Sequence, residues 1–143
     1  MAIVMLDHIG IVARTWQEAR GVLVDQMGFT VDIERAPEPD GSYFAPEGTH
    51  NYFVKVGLGQ TRIEVLIPSV PGKGAWKWLE KRGPSMHHLG YGSTDVTADA
   101  KRLQEQGLVL IDLGADPNRL SAAFFQPKSA GGILTEIVPA RGA

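Results

Sequence analysis

Residues 85–93 read SMHHLGYGS, and residues 6–13 read LDHIGIVA. Both are short, β-prone runs in which a histidine, His88 or His8, is followed two positions later by glycine. The match marks an internal repeat, and a repeat decides the architecture before any single element does. Beyond each run the apolar pattern changes from a period of two to one of about 3.6. Thr15 to Met27 gathers Trp16, Ala19, Val22, Leu23 and Met27 on one helical face, and Asp95 to Gln106 does the same with Val96, Ala100 and Leu103. Thr15-Trp16-Gln17-Glu18 has the form of a capping box, while Gly28 and Gly107 offer the left-handed residue that stops each helix.

Strand-like segments follow each glycine: 29–36, 51–58 and 61–67 in the first half, then 108–113, 119–126 and 133–138 in the second. Each half therefore reads β-α-β-β-β. The two histidines are 80 residues apart and Glu64 and Glu136 are 72 apart. The difference falls in the Pro/Gly-rich loop 37–49 of the first half, and surface loops tolerate such insertions. SVPGKG, a short helix around Ala75–Lys81 and Arg82-Gly83-Pro84 join the halves. The expectation is one α+β domain over 1–143, with module one at about 4–69, a linker helix at about 70–84 and module two at about 85–140. The two tandem βαβββ modules are expected to form a curved sheet around a metal site.

Composition narrows the function. The chain has 143 residues, 43% hydrophobic and 21% charged, which is the balance of a folded globular domain. Its formal charge of −2 is spread along the chain and leaves no basic stripe for a nucleic acid. The opening MAIVMLDHIG has no basic leader and its apolar run is short, so a cytoplasmic location and no membrane partner are expected. With no cysteine present, any transition-metal site has to be built from imidazole and oxygen.

Four residues carry the chemistry. Glu64 lies within TRIEVLI and Glu136 within ILTEIVP, each a carboxylate inside an apolar strand. An ionised carboxylate buried there needs a salt bridge, a proton or a cation. A lone strand histidine is more often a hydrogen-bonded core or edge residue than a ligand. Here, however, His8 and His88 occupy equivalent positions of the repeat, and so do Glu64 and Glu136. Together they make a two-imidazole, two-carboxylate set suited to one divalent ion, Zn, Ni, Co, Mn or Fe. His87 points to the opposite sheet face from His88, which gives it a core or supporting role. His50 sits in or beside the long loop and reads as solvated, and Trp76 and Trp78 read as anchors of the linker helix. Gly57-Leu58-Gly59-Gln60 joins two strands and opens no helix, so it is no phosphate cradle.

The motifs LDHIGIVA, GQTRIEVLIP, SMHHLGYGSTDV and FFQPKSAGGILTEIV resemble the vicinal oxygen chelate superfamily of glyoxalases, bleomycin-resistance proteins and dioxygenases. KWLEKRG, MHHLGYGSTDV and FFQPKSAGGILTEIV are similar to the second half of its methylmalonyl-CoA epimerase family. The resemblance implies metal ligands at His8, His88 and Glu136, with a fourth at Glu64 or Gln60. Glyoxalase I has a glutamate where Glu64 stands. It further implies a homodimer and a metal-dependent isomerase that forms an enolate from an acyl-CoA such as methylmalonyl-CoA. Glu136 would serve as one acid/base group. The epimerases carry another glutamate near the third strand of the first half, but HNYFVKVG has none, which leaves Glu47 or Asp40 in the preceding loop as a substitute. Lys73, Lys77, Lys81 and Arg82 either meet CoA phosphates or form a solvated face, and Lys128 and Ser129, in the turn leading to the Glu136 strand, are candidates to contact a substrate carboxylate. Competing readings are a glyoxalase-like lyase or thiol transferase, an Fe(II) dioxygenase, and a metal-free small-molecule binding protein.

Overall fold

The computed structural model describes residues 2–141. The chain forms two compact units, one made of 1–8 with 88–143 and the other of 9–87, and the division passes through the first strand. The fold is a mixed α+β one built on a β-sheet, in keeping with the repeat read from the sequence.

In the first unit the strand order is β1 (Ile3–Val12), β6 (Ser85–Ser93), β8 (Thr135–Pro139) and β7 (Ala123–Phe125). β8 runs parallel to β6 and antiparallel to β7. Helix α3 (Val96–Glu105) starts at Asp95, whose carboxylate accepts from the Ala98 N–H at 3.0 Å. Its apolar face buries Val96 and Ala100 against Ala123, Phe125 and Ile137. On the same helix the buried Asp99 accepts from the Ser93 hydroxyl at 2.7 Å and from Arg102 at 3.3 Å.

In the second unit the order is β2 (Thr30–Val31), β4 (Thr49–Lys55), β5 (Arg62–Pro68) and β1, with β3 (Ser42–Phe44) also paired to β4. The pairs β2–β4, β3–β4 and β4–β5 are antiparallel. Helix α1 (Trp16–Arg20) opens as predicted, with the Thr15 hydroxyl accepting from Glu18 N–H at 3.1 Å. At Gly21 it widens into a π-helical turn, Gly21–Gln26, so the single helix expected over 15–27 is bulged. Trp16 stacks on Tyr52 at 4.2 Å over a core of Val31, Val54 and Val65. Helix α2 (Gly74–Arg82) matches the expected linker helix.

Three expected strands are shorter, each for a local reason. The 29–36 run stops after Val31 because Asp32 captures the next turn, accepting from Arg35 N–H through its carboxylate and from Ala36 N–H through its carbonyl. In 108–113 only Leu110 forms a bridge, to Phe125, since the Val109 N–H is taken by the Ser129 hydroxyl. In 119–126 the start is lost to a turn in which Asp116 accepts from Asn118 and Arg119. Conversely, the loop 37–49 contains β3, which pairs Ser42–Phe44 with Thr49–Asn51.

Candidate metal centre

β1, β6 and β8 are neighbours in one unit, and each contributes one buried polar side chain to the same sheet face. Alternation puts His8 on the face of Leu6 and Gly10, and His88 on the face of Met86, Gly90 and Gly92. The parallel register sets Glu136 beside Gly90 on one side, and the antiparallel register sets it beside Phe124 on the other. Glycine at 90 is required sterically. A Cβ there would clash with the imidazole ring of His8.

The three side chains converge tip to tip. His8 Nε2 lies 3.0 Å from His88 Nε2 and 2.9 Å from Glu136 Oε1, and His88 Nε2 is 3.4 Å from the same oxygen. All three residues are less than a tenth exposed. The other face of the His8 ring is held by Asp7, whose Oδ2 lies 2.8 Å from Nδ1. With Asp7 accepting a hydrogen bond from Nδ1–H, the Nε2 lone pair is aimed at the cluster, as in carboxylate–histidine–metal arrangements. Burial tends to raise the Glu136 carboxyl, but the hydrogen bonds and charge of His8 and His88 outweigh it and hold Glu136 below the ordinary value. An ionised carboxylate and two imidazole nitrogens, each offering one ligand atom and all within 4.8 Å of one another, fit a divalent transition ion.

The other expected residues fall as follows. Glu64 is buried on β5, opposite Phe53 of β4. Gln60 is exposed in the β4–β5 turn, where its carbonyl accepts from Arg62 at 3.0 Å. Glu47 lies in the β3–β4 turn, and its carboxylate accepts from Ala75 N–H at 2.8 Å, holding the first turn of α2. Asp40 is exposed, and its carbonyl accepts from His50 Nδ1 at 2.9 Å. His50 stands on β4 beside the loop, half-buried against Tyr43 rather than fully solvated. His87 packs edge-on to Trp78 at 4.7 Å, and Arg82 covers that indole at 3.8 Å. Ser129 is engaged in structure, donating to the Gln126 carbonyl as well as accepting from Val109. Lys73, Lys77, Lys81 and Lys128 are exposed.

Sequence reasoning missed Asp7 and Phe124. The signal for Asp7 was present in LDHIG, where a carboxylate directly precedes the ligand-type histidine. The Phe124 ring, 6.1 Å from that of His88, had no signal apart from the apolar strand it sits in.

A family model described as the glyoxalase/bleomycin resistance protein/dioxygenase superfamily matches residues 7–124. The chain belongs to this superfamily. Among solved structures it is similar to methylmalonyl-CoA epimerase from Mycobacterium tuberculosis, with 26% identity and a TM-score of 0.82 over 99% of this chain and 91% of that one. A Streptomyces coelicolor methylmalonyl-CoA epimerase variant in complex with 2-nitronate-propionyl-CoA matches at 24% identity and a TM-score of 0.82, over 99% of this chain and 100% of that one. The uncharacterized protein YqjC of Bacillus subtilis (strain 168) is 24% identical over 96% of this chain and 93% of its own length. Within the superfamily, the epimerase resemblance read from the sequence thus has matching structural neighbours. Among the described residues no helix is long and apolar enough to cross a membrane.

Proposed function

We propose that this protein is a divalent-metal-dependent isomerase that moves the α-proton of an acyl-CoA such as methylmalonyl-CoA through an enolate, with His8, His88, Glu136 and Glu64 as ligands. The observation that carries the reading is the buried convergence of His8, His88 and Glu136 with Asp7 behind it. Glu64 completes the set in this proposal because it is the remaining buried carboxylate of the repeat pattern. The solved epimerases above add support, one of them holding an acyl-CoA analogue.

A divalent ion bound there supplies Lewis-acid stabilisation of negative charge on a substrate carbonyl oxygen. The chain's own residues do the rest. Asp7 keeps the His8 ring in one tautomer and orientation. Gly90 leaves the space that the His8 ring occupies. Phe124, beside Glu136 on β7, covers the cluster with apolar surface and lowers the local dielectric. In this reading Glu136 takes or returns the α-proton. Glu47, the other acid/base candidate, is already committed to the start of α2, so its assignment is tested separately below.

The test is incubation with methylmalonyl-CoA in D₂O, following α-deuteration by mass. Metal-loaded protein is expected to exchange the proton faster than metal-stripped protein. Bound metal without exchange would redirect the search to glyoxalase-like or dioxygenase substrates, for which the same superfamily membership speaks. The homodimer and cytoplasmic expectations stay part of this proposal, the former checked by solution mass.

A further inference from the structure

Helix α1 and the π-helical turn after it leave an apolar face of the second unit open. A groove of about 450 Å³ runs along it, lined by residues of that unit alone. Ile11, Ala19 and Leu23 are half-buried in its floor, while Val22 and Met86 stand in its walls, 49% and 64% exposed. A regular 3.6-residue spacing would carry Val22 into the core with Ala19 and Leu23. The π-helical turn that begins at Gly21 changes that spacing and leaves Val22 at the surface. An exposed valine and an exposed methionine flanking an apolar groove make a surface suited to being covered.

The charges on the groove say what covers it. Arg14 and Glu18 also line it, both exposed, and among the described residues neither side chain forms an ion pair. The next cation along the helix is already engaged, since Arg20 pairs with Glu38 at 2.7 Å and with Asp25 at 3.2 Å. The groove therefore offers one positive and one negative charge beside an apolar surface. A partner of single charge satisfies half of that pattern. A second copy related by a two-fold axis satisfies all of it: Arg14 of one copy faces Glu18 of the other, and the reverse contact follows by symmetry. Val22 and Met86 of each copy then supply apolar side chains to the groove of the other.

We propose that this face, with Arg14, Glu18, Val22 and Met86, is an isologous contact between two copies of the chain. The proposal deepens the homodimer part of the reading above by giving it a surface and a symmetry. It needs neither the metal nor the substrate.

The test is sedimentation equilibrium on the full chain. Wild type is expected to form dimers. Arg14→Glu and Glu18→Arg are each expected to raise the dimer Kd about tenfold or more, because each creates two like-charge contacts across the axis. Mixed together, the two variants should form heterodimers about as tight as the wild-type dimer, and so should the double variant Arg14→Glu/Glu18→Arg with itself, since opposite charges meet again. Val22→Asp should weaken the dimer as well. All three positions are exposed, so the variants should keep the fold, read by circular dichroism. Weakening by the two charge reversals without rescue on mixing overturns the two-fold pairing. A dimer that none of the three substitutions weakens overturns this surface and leaves the homodimer expectation standing, whereas wild type that stays monomeric at its highest soluble concentration overturns both. Metal content enters none of these outcomes, so the metal centre keeps its own assay.

Discussion

At the scale of single residues, Gly90 and Asp7 show how little freedom the centre has. Any side chain at 90 must displace the His8 ring, so Gly90→Ala is expected to abolish metal binding, read by metal analysis of a variant whose circular dichroism still shows the fold. Asp7→Asn keeps the size of the side chain and removes its charge; ion affinity should fall by about tenfold to a hundredfold, measured by competition with a chromophoric chelator. An unchanged affinity would deny Asp7 its orienting role. Asp99 gives a prediction of different kind. Burial works to raise its carboxyl, but the Ser93 hydroxyl, the Ala2 N–H and Arg102 together hold it below the ordinary value. A folded-state pKa below the unfolded one means stability that is fully present above about pH 3.9 and lost as pH falls through the folded value. Asp99→Asn should therefore cost about 1–3 kcal/mol at neutral pH, and its difference from wild type in denaturant melts should shrink below about pH 4.

Elements extend the same logic. α2 begins on a carboxylate supplied from another turn, since Glu47 accepts from Ala75 and Lys73 gives no side-chain cap. Glu47→Gln keeps an acceptor, so it should lower the melting temperature by only a few degrees and leave deuterium exchange intact. Loss of exchange in a stable Glu47→Gln protein would instead restore its acid/base assignment. The strands explain what the sequence made legible. His8, His88, Glu64 and Glu136 stood out because each interrupts an apolar run, and burial of a polar group is a strong constraint on sequence. Strand ends were less legible because they depend on competitors for the backbone, such as Asp32 and Ser129, whose effect needs a turn already formed. β3 escaped for the opposite reason: its Ser42-Tyr43-Phe44 is a three-residue run between turn residues, and only pairing with β4 makes it a strand.

For the whole molecule, the proposed ion is a stabilising ligand as well as a chemical one. Two imidazoles and a carboxylate brought together in a dry interior are best relieved by a cation between them. An ion that binds only the folded chain adds stability in proportion to the logarithm of its concentration over Kd, about 2.7 kcal/mol at a hundredfold excess. Chelation should therefore lower the melting temperature by several degrees, and restoring the ion should recover it. The repeat that organises the chain also explains the economy of the proposed ligand set, because one strand position used twice yields both histidines and another yields both glutamates.

The most direct test is the metal content of the purified protein after exposure to Co, Ni, Mn, Zn or Fe salts and desalting. Wild type is expected to carry about one ion per chain, and folded His8→Ala, His88→Ala and Glu136→Ala variants are expected to lose it. Wild-type protein that holds no divalent ion under any of these conditions, or variants that keep it, would contradict the account at its centre.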